Sequence, residues 1–417
     1  MKASGGSLPR TDVNSVSSAP MSKAAAAGGP SLKRTASRSE GGVPFAQRLA
    51  RLAAAMSEAQ LPALLVTNPK DVGYLTGFLG GDSYLLVPGD FGARAGAVPT
   101  LITDFRYKEE VEPVEQAGLA RLHIRSRSMT ESVAELLGPS AKGDDGKRVG
   151  IQAEHMTIAE KAALGRKVEG GAKRLVDTAG LVSRLRATKD QTEIALIRKA
   201  VKLQEQALEA VLPTIKPGQT ELEIAARLES EMKSRGSSEP GFQTIVAAGA
   251  NGSLPHYRPA ARKLAANKPV LIDWGAVYRG YHGDMTRTLT LGKWPAKVKE
   301  IYAVVLDAHL AAAAALAPGK SSEQIDGIAR THITKHGYAE FFGHGLGHGI
   351  GLNGHEDPRL TNMLKPSKLE PGMVVTVEPG IYLPGVGGVR IEDDYVITED
   401  GAENLCSLPK DLEWATL

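Results

Sequence analysis

Asp273, Asp284, His348, Glu378 and Glu392 are the residues of this chain whose types and placement could do chemistry. They lie in LIDWGAVYRGYHGDMTRT, GHGLGHGIGLNGHE, TVEPG and VRIEDD. Each carboxylate sits in or beside a β-branched, apolar stretch of the kind that becomes a buried strand. A carboxylate buried there without a partner is costly, so four of them call for a shared cation. Four carboxylates and one imidazole suit a pair of hard divalent ions bridged by carboxylate oxygens and a water. That donor set points to two-metal hydrolysis.

Hairpins would position the acids. Facing residues on antiparallel strands have Cβ atoms roughly 5 Å apart. Asp273 and Asp284 flank the turn-like Tyr278-Arg279-Gly280-Tyr281, a pattern that predicts the two side by side on adjacent strands. Glu378, just before Pro379-Gly380, and Glu392 repeat the arrangement. Two facing hairpins would then serve metals about 3.5–4 Å apart. GHGLGHGIGL (343–352) fits neither a dinucleotide fingerprint, since no Gly-x-Gly has a third Gly three residues on, nor a zincin helix, since no Glu follows His344. Its glycines permit close backbone approach, which suits imidazoles aimed at a metal or substrate.

An internal echo gives these hairpins a frame. PGQTELEI (217–224) recurs as PGKSSEQI (318–325). Each copy follows a long helix, opens a second through a capping-box pattern, and precedes a polar, His-containing loop and an acidic hairpin. This order implies duplication, with two similar halves facing each other around one site. The first long helix is predicted to open at Thr188 and Gln191, with Ile194, Ile197, Val201, Leu208 and Val211 on its apolar face. Upstream, PALLVT (62–67), SYLLVP (83–88), TLITD (100–104) and RVGIQ (148–152) read as strands. Residues 45–58, 129–137 and 157–168 read as helices. The alternation suggests an α/β layer domain over 43–183, ahead of a second domain at 184–417.

The remaining composition narrows the class. A formal net charge of +3 on 417 residues is too small to argue for nucleic acid. Cys406 is the only cysteine, which excludes a disulfide framework and a thiolate metal site and suits a reducing, cytoplasmic setting. No apolar run approaches the roughly 20 residues of a membrane span. Residues 1–42 are rich in Ser, Gly, Ala and basic residues, with almost no large apolar side chains, and are expected to be a disordered tail. Two other readings stay open: a start at Met21, and an organelle transit peptide, which the Arg/Ser-rich, acid-poor composition weakly resembles.

Taken together, LIDWGAVYRGYHGDMTRT, GHGIGLNGHEDP, EPGMVVTVEPGIY and GVRIEDDYVIT resemble the metallopeptidases of the creatinase/aminopeptidase "pita-bread" fold, and most of all their Xaa-Pro aminopeptidase and Xaa-Pro dipeptidase (prolidase) branch. The likeness is strong over about 184–410, while LPALLVTNPKDVGYLTGF looks like the creatinase-type N-terminal domain. It implies an α/β N-terminal creatinase-like domain plus an α+β pita-bread catalytic domain with a pseudo-two-fold repeat. It also implies that Asp273 ligates one metal, Asp284 and Glu392 bridge, and His348 and Glu378 complete the shell. Glu378 would shuttle the proton for attack by a metal-held hydroxide. His256 and His355 match substrate-side histidines, Arg390 a residue that orients the bridging Glu or a substrate carboxylate, and His344 the site wall or its support. The metals implied are Mn²⁺ or Co²⁺, with Zn²⁺ also open. The partners implied are a peptide with proline second and a second copy of the chain in a homodimer.

Three competing readings fit less well. Creatinase lacks the carboxylate set, and methionine aminopeptidase lacks the N-terminal domain. A non-catalytic peptide-binding relative would have an eroded site, whereas all five ligands are intact here. Between aminopeptidase and dipeptidase, the compact N-terminal domain and HEDPRL lean toward the aminopeptidase.

Overall fold

The computed structural model describes residues 44–91, 97–138 and 148–417, so the tail expected at 1–42 lies outside the described residues. The first region is a six-stranded mixed sheet: β1 (Ala63–Val66), β2 (Tyr84–Pro88), β3 (Thr100–Thr103), β4 (Arg121–Ile124), β5 (Val149–Gln152) and β6 (Leu175–Thr178), in the order β4-β3-β2-β1-β5-β6. Helices α1 (Phe45–Glu58), α2 (Pro69–Thr76), α3 (Lys108–Gln116), α4 (Met129–Leu137) and α5 (Ile158–Lys167) accompany it. The four strands and three helices expected from periodicity all form within a residue or two of their predicted ends. α6 (Leu181–Ala187) then leads out of the sheet.

From Gln191 onward the chain builds one pattern twice. Helices α7 (Gln191–Val211) and α8 (Glu221–Ser234) precede the three-stranded sheet of β7 (Ile245–Ala248), β8 (Pro269–Trp274) and β11 (Met285–Thr290). A small ribbon, β9 (Val277–Tyr278) and β10 (Tyr281–His282), caps the β8–β11 hairpin. Helices α9 (Ala296–Ala314) and α10 (Ser322–Lys335) precede a five-stranded sheet. It comprises β12 (Gly347–Gly349), β13 (Glu356–Leu360), β14 (Val374–Val377), β17 (Asp393–Ile397) and β18 (Ala402–Asn404), with the ribbon β15 (Gly380–Leu383) and β16 (Gly387–Arg390) between β14 and β17. The sequence echo is repeated in the hydrogen bonding. Gly218 N donates to Leu264 O at 2.8 Å and Gly319 N to Leu369 O at 2.8 Å, and Thr220 bridges Lys263 as Ser321 bridges Lys368. Both glycines have positive φ, +93° and +77°, where a side chain would be strained. The expected architecture is therefore the one formed: an α/β layer followed by an α+β half with an internal repeat. No helix among the described residues is long and apolar enough to cross a membrane.

One expected start is corrected. Asp190, not Thr188, caps α7: its Oδ1 accepts from Thr192 N (2.9 Å) and Glu193 N (3.0 Å), while Glu193 reaches back to Asp190 N. Thr188 is extended instead and bridges Met373. The cap also ties the two regions together. Arg48 on α1 pairs with Asp190 at 2.7 Å and lies 3.4 Å from Glu193, which accepts from Tyr281 Oη at 3.0 Å.

The guanidinium is closer to Asp190, and at Glu193 burial outweighs it, raising that carboxyl to about 7. A folded pKa above the unfolded value of 4.5 means that the stabilising contribution is complete at acid pH and is lost as pH climbs through 7. Between pH 5 and 8 this should cost on the order of 2 kcal/mol. Denaturant unfolding of Glu193→Gln at the two pH values should show that much less loss than the parent. Equal losses would mean that Glu193 is ionised throughout.

Candidate metal centre

Asp273 lies in β8 opposite Thr286 of β11, and Asp284 sits two residues earlier, just before the strand begins. The β9–β10 ribbon thus leaves the two acids diagonal rather than directly facing. Glu378 and Glu392 immediately flank the Val377–Asp393 pair of β14 and β17. The two hairpins join where the acids converge, since Glu392 N donates to Thr286 O at 3.1 Å and Thr286 Oγ1 donates to Glu392 Oε2 at 2.6 Å. His348 arrives from β12, whose glycines run against neighbouring backbone: a Cβ on Gly347 would fall 2.0 Å from Thr376 O.

Asp284, His348 and Glu392 offer ligand atoms that all lie within 4.8 Å of one another, the one such group among the described residues. Glu378 Oε1 is 3.3 Å from His348 Nε2, and Asp284 Oδ2 is 3.8 Å from it. Asp273 lines the same cavity but is held apart by a 2.6 Å ion pair with Arg390.

Electrostatics test the fit of a cation. His348 Nδ1 faces Gly349 O at 3.1 Å, an arrangement in which Nδ1 carries the proton and Nε2 presents a lone pair to the carboxylates. Asp273 Oδ1 is buried without any hydrogen-bond partner. A set of acceptors facing acceptors lacks only positive charge. Burial, followed by repulsion from the other acids, holds Asp284 and Glu392 well above the usual carboxylate range, and burial pushes Glu378 up to about 8. Burial lowers His348 to about 3, keeping its imidazole neutral as a ligand must be. The hard oxygen donors with one imidazole therefore fit a divalent metal.

The other expected residues surround the same cavity of about 740 Å³, whose lining includes His256, His344, His355 and Arg390. The His355 and His348 rings lie 4.0 Å apart. His344 Nε2 meets Tyr382 Oη at 2.8 Å, and burial lowers its imidazole to about 4. Arg390 does not reach Glu392 directly. Its Nη2 donates to Asp273 and its Nε donates to Thr286 Oγ1 at 3.0 Å, and that hydroxyl donates on to Glu392.

Four contributors escaped the sequence reading. Tyr382 accepts from Arg390 Nη1 at 2.9 Å. Asp394, fully buried, accepts from Asp284 N at 3.0 Å. Arg287 directs all five N–H donors, to Asp393, to the carbonyls of Thr286 and Glu392, and to those of Leu408 and Pro409. Arg359 lines the cavity half-buried, with no ion-pair partner among the described residues. The third acid of the run Glu392-Asp393-Asp394 and the Arg of MTRT were the available signals.

Residues 195–399 match metallopeptidase family M24, and residues 48–188 match the creatinase/prolidase N-terminal domain. A Xaa-Pro dipeptidase of Pyrococcus furiosus is 34% identical over 88% of this chain and 99% of its own. A solved Xaa-Pro dipeptidase from Bacillus anthracis superposes with a TM-score of 0.81 at 34% identity, covering 89% of this chain and all of that one. An X-Pro aminopeptidase from Thermotoga maritima superposes with a TM-score of 0.75 at 31% identity, covering 88% of this chain and 99% of that one.

Proposed function

The chain belongs to metallopeptidase family M24, and from that premise we propose that it hydrolyses Xaa-Pro dipeptides at the bond before proline. The convergence of Asp284, His348 and Glu392 carries the reading, because acceptors so arranged have little use without a cation. Asp273, Asp284, His348, Glu378 and Glu392 would hold two divalent ions, with Mn²⁺ favoured by the oxygen-rich set and Co²⁺ or Zn²⁺ as alternatives. Such ions supply an activated water and polarise the scissile carbonyl.

The protein's own groups do the rest. Glu378, the acid of the cluster with the most solvent access at 17% side-chain exposure, takes and returns the proton. His256 and His355, at the exposed side of the cavity, donate to the peptide oxygen or the departing nitrogen. Burial raises Asp273, and Arg390, anchored on it and on Tyr382, opposes that rise and aims the carboxylate, while His344 braces Tyr382. In the same reading the residues form domains at 43–183 and 184–417, and the enzyme is a cytoplasmic homodimer, a setting that the lone cysteine supports.

The lean toward an aminopeptidase gives way to the dipeptidase on two grounds. The Pyrococcus and Bacillus relatives above are Xaa-Pro dipeptidases. Arg359 offers the cavity a guanidinium with no ion-pair partner among the described residues, which suits the terminal carboxylate that a dipeptide places next to its scissile bond. In a longer peptide that carboxylate is absent.

The test is release of free amino acid from Gly-Pro and from a longer Xaa-Pro-Xaa peptide, with and without Mn²⁺. The dipeptide should be cleaved and the longer peptide spared. In Arg359→Met, KM for Gly-Pro should rise roughly 10- to 100-fold with kcat little changed, the value of one charge-assisted contact. Cleavage of the longer peptide, with an indifferent Arg359→Met, would restore the aminopeptidase.

A further inference from the structure

β13 begins at Glu356 and carries Arg359, and its first residue follows His355, so this strand and the residue before it present both cavity groups. Glu356 itself does not line the cavity. Its carboxylate accepts from Asn353 N at 2.8 Å, from Arg186, and from Lys189 Nζ at 3.4 Å. Arg186 belongs to α6, the helix leaving the N-terminal sheet, and its other Nη pairs with Asp71 of α2 at 2.6 Å. Asp71 accepts from Gln152 Nε2 at 2.5 Å, and Gln152 Oε1 accepts from Thr67 N (2.7 Å) and Asn68 N (2.9 Å), where β1 ends. The side chains of Arg186, Asp71, Glu356 and Lys189 are 4%, 4%, 7% and 1% exposed.

A buried chain of charge-assisted bonds therefore runs from the N-terminal sheet to the strand that holds His355 and Arg359. Buried ion pairs lend little net stability compared with apolar packing, and their best-attested use is to fix one geometry among several. The metal acids take no part in this chain. Its far end is the strand that holds two cavity residues, and at its centre Arg186 bridges two carboxylates, Asp71 through one Nη and Glu356 through the other, a link that a single ammonium would not reproduce.

We propose that Arg186 and Glu356 are positioning residues, which lock β13 to the N-terminal sheet and so set His355 and Arg359 at the distance the substrate requires. The proposal rests on the dipeptidase reading for its substrate and on the geometry alone for its mechanics. The N-terminal region then acts on the reaction without touching the substrate: it fixes the register of β13 against β12, in which His348 stands opposite Arg359 and Gly349 opposite Glu356.

The experiment uses the full chain with Asp71→Asn, Glu356→Gln and Arg186→Lys. Asp71 is the most telling site, because it lies on α2 and is absent from the cavity lining. Each variant is checked for fold by circular dichroism and for bound Mn²⁺ by equilibrium dialysis, then assayed for kcat and KM on Gly-Pro. Histidine-labelled protein supplies a readout independent of turnover. The His355 ring signal, assigned by its loss in His355→Gln, lies in the ring current of His348 at 4.0 Å and reports displacement.

In Asp71→Asn and Glu356→Gln, KM should rise about tenfold or more with kcat within threefold, metal content should hold, and the His355 signal should move. Arg186→Lys, which keeps the charge but loses the fork, should fall between these variants and the parent. Folded variants with parental KM and an unmoved His355 signal would overturn the proposal. So would collapse of the fold in all three, which would make the chain structural only, or loss of metal in place of the KM effect. A His355 signal that moves in the variants, with a parent protein that cleaves no Xaa-Pro peptide, would leave the positioning intact and remove the substrate assignment instead.

Discussion

Glu378→Gln should fold as the parent does and lose at least about a thousandfold in kcat/KM at saturating Mn²⁺. Two losses combine. Amide cannot exchange a proton, and positioned acid–base groups are worth roughly 10²- to 10⁴-fold. The variant also removes an anionic oxygen that stands 3.3 Å from His348 Nε2. The change is isosteric and replaces a buried acid, which burial pushes up to about 8, by a neutral amide, so the metal-free fold should lose nothing by it. Side-by-side kinetics and circular dichroism check both halves. Activity within tenfold of the parent would remove Glu378 from the chemistry.

Metal binding should have an effect of comparable size on stability, and a paired variant gives it a distinctive sign. Adding Mn²⁺ to metal-free protein should raise the unfolding midpoint. A ligand at a hundred times its Kd contributes about 2.7 kcal/mol per site, and EDTA should reverse the gain. Asp284→Asn should invert part of this pattern. Its metal-free form should melt higher than the metal-free parent, because burial, and then repulsion from Asp273, Asp394 and Glu378, disfavours a charge on Asp284. Its Mn²⁺-dependent gain should largely vanish, because Asp284 belongs to the three-ligand group. Calorimetric melting with and without Mn²⁺ reads both. A metal-free Asp284→Asn that melts lower, with its gain intact, would mean that the acids are not a cation site.

Local signals were legible in the sequence and distant ones were not. The helix at Phe45–Glu58 was readable because its apolar positions recur with helical spacing. The acidic hairpins were readable because Asp273 and Asp284 flank one short turn, whose Arg279 and Gly280 both adopt positive φ, +49° and +86°. The doubled Pro-Gly punctuation carried the internal repeat. β4 and β6 were missed because RLHI and LVDT are short and half polar. α2 was missed because Pro69 reads as a break, although Pro at a helix start behind an Asn68 cap is favourable. Arg287, Asp394 and the Arg186–Glu356 pair were invisible for one shared reason. A buried charge declares itself only through its partner, and those partners lie between 105 and 170 residues away.

The bridge that joins Thr286 to Glu392 bears on synthesis as well as on catalysis. A ribosome delivering this chain releases Asp273 and Asp284 more than a hundred residues before Glu392 appears, and until then the cluster lacks the acid that Thr286 bonds on the second hairpin. If Asp284, His348 and Glu392 hold a cation as proposed, its capture would wait until the second hairpin has emerged and docked. On the proposed function, a chain ending before residue 392 should gain less stability from an added divalent metal than the full chain does.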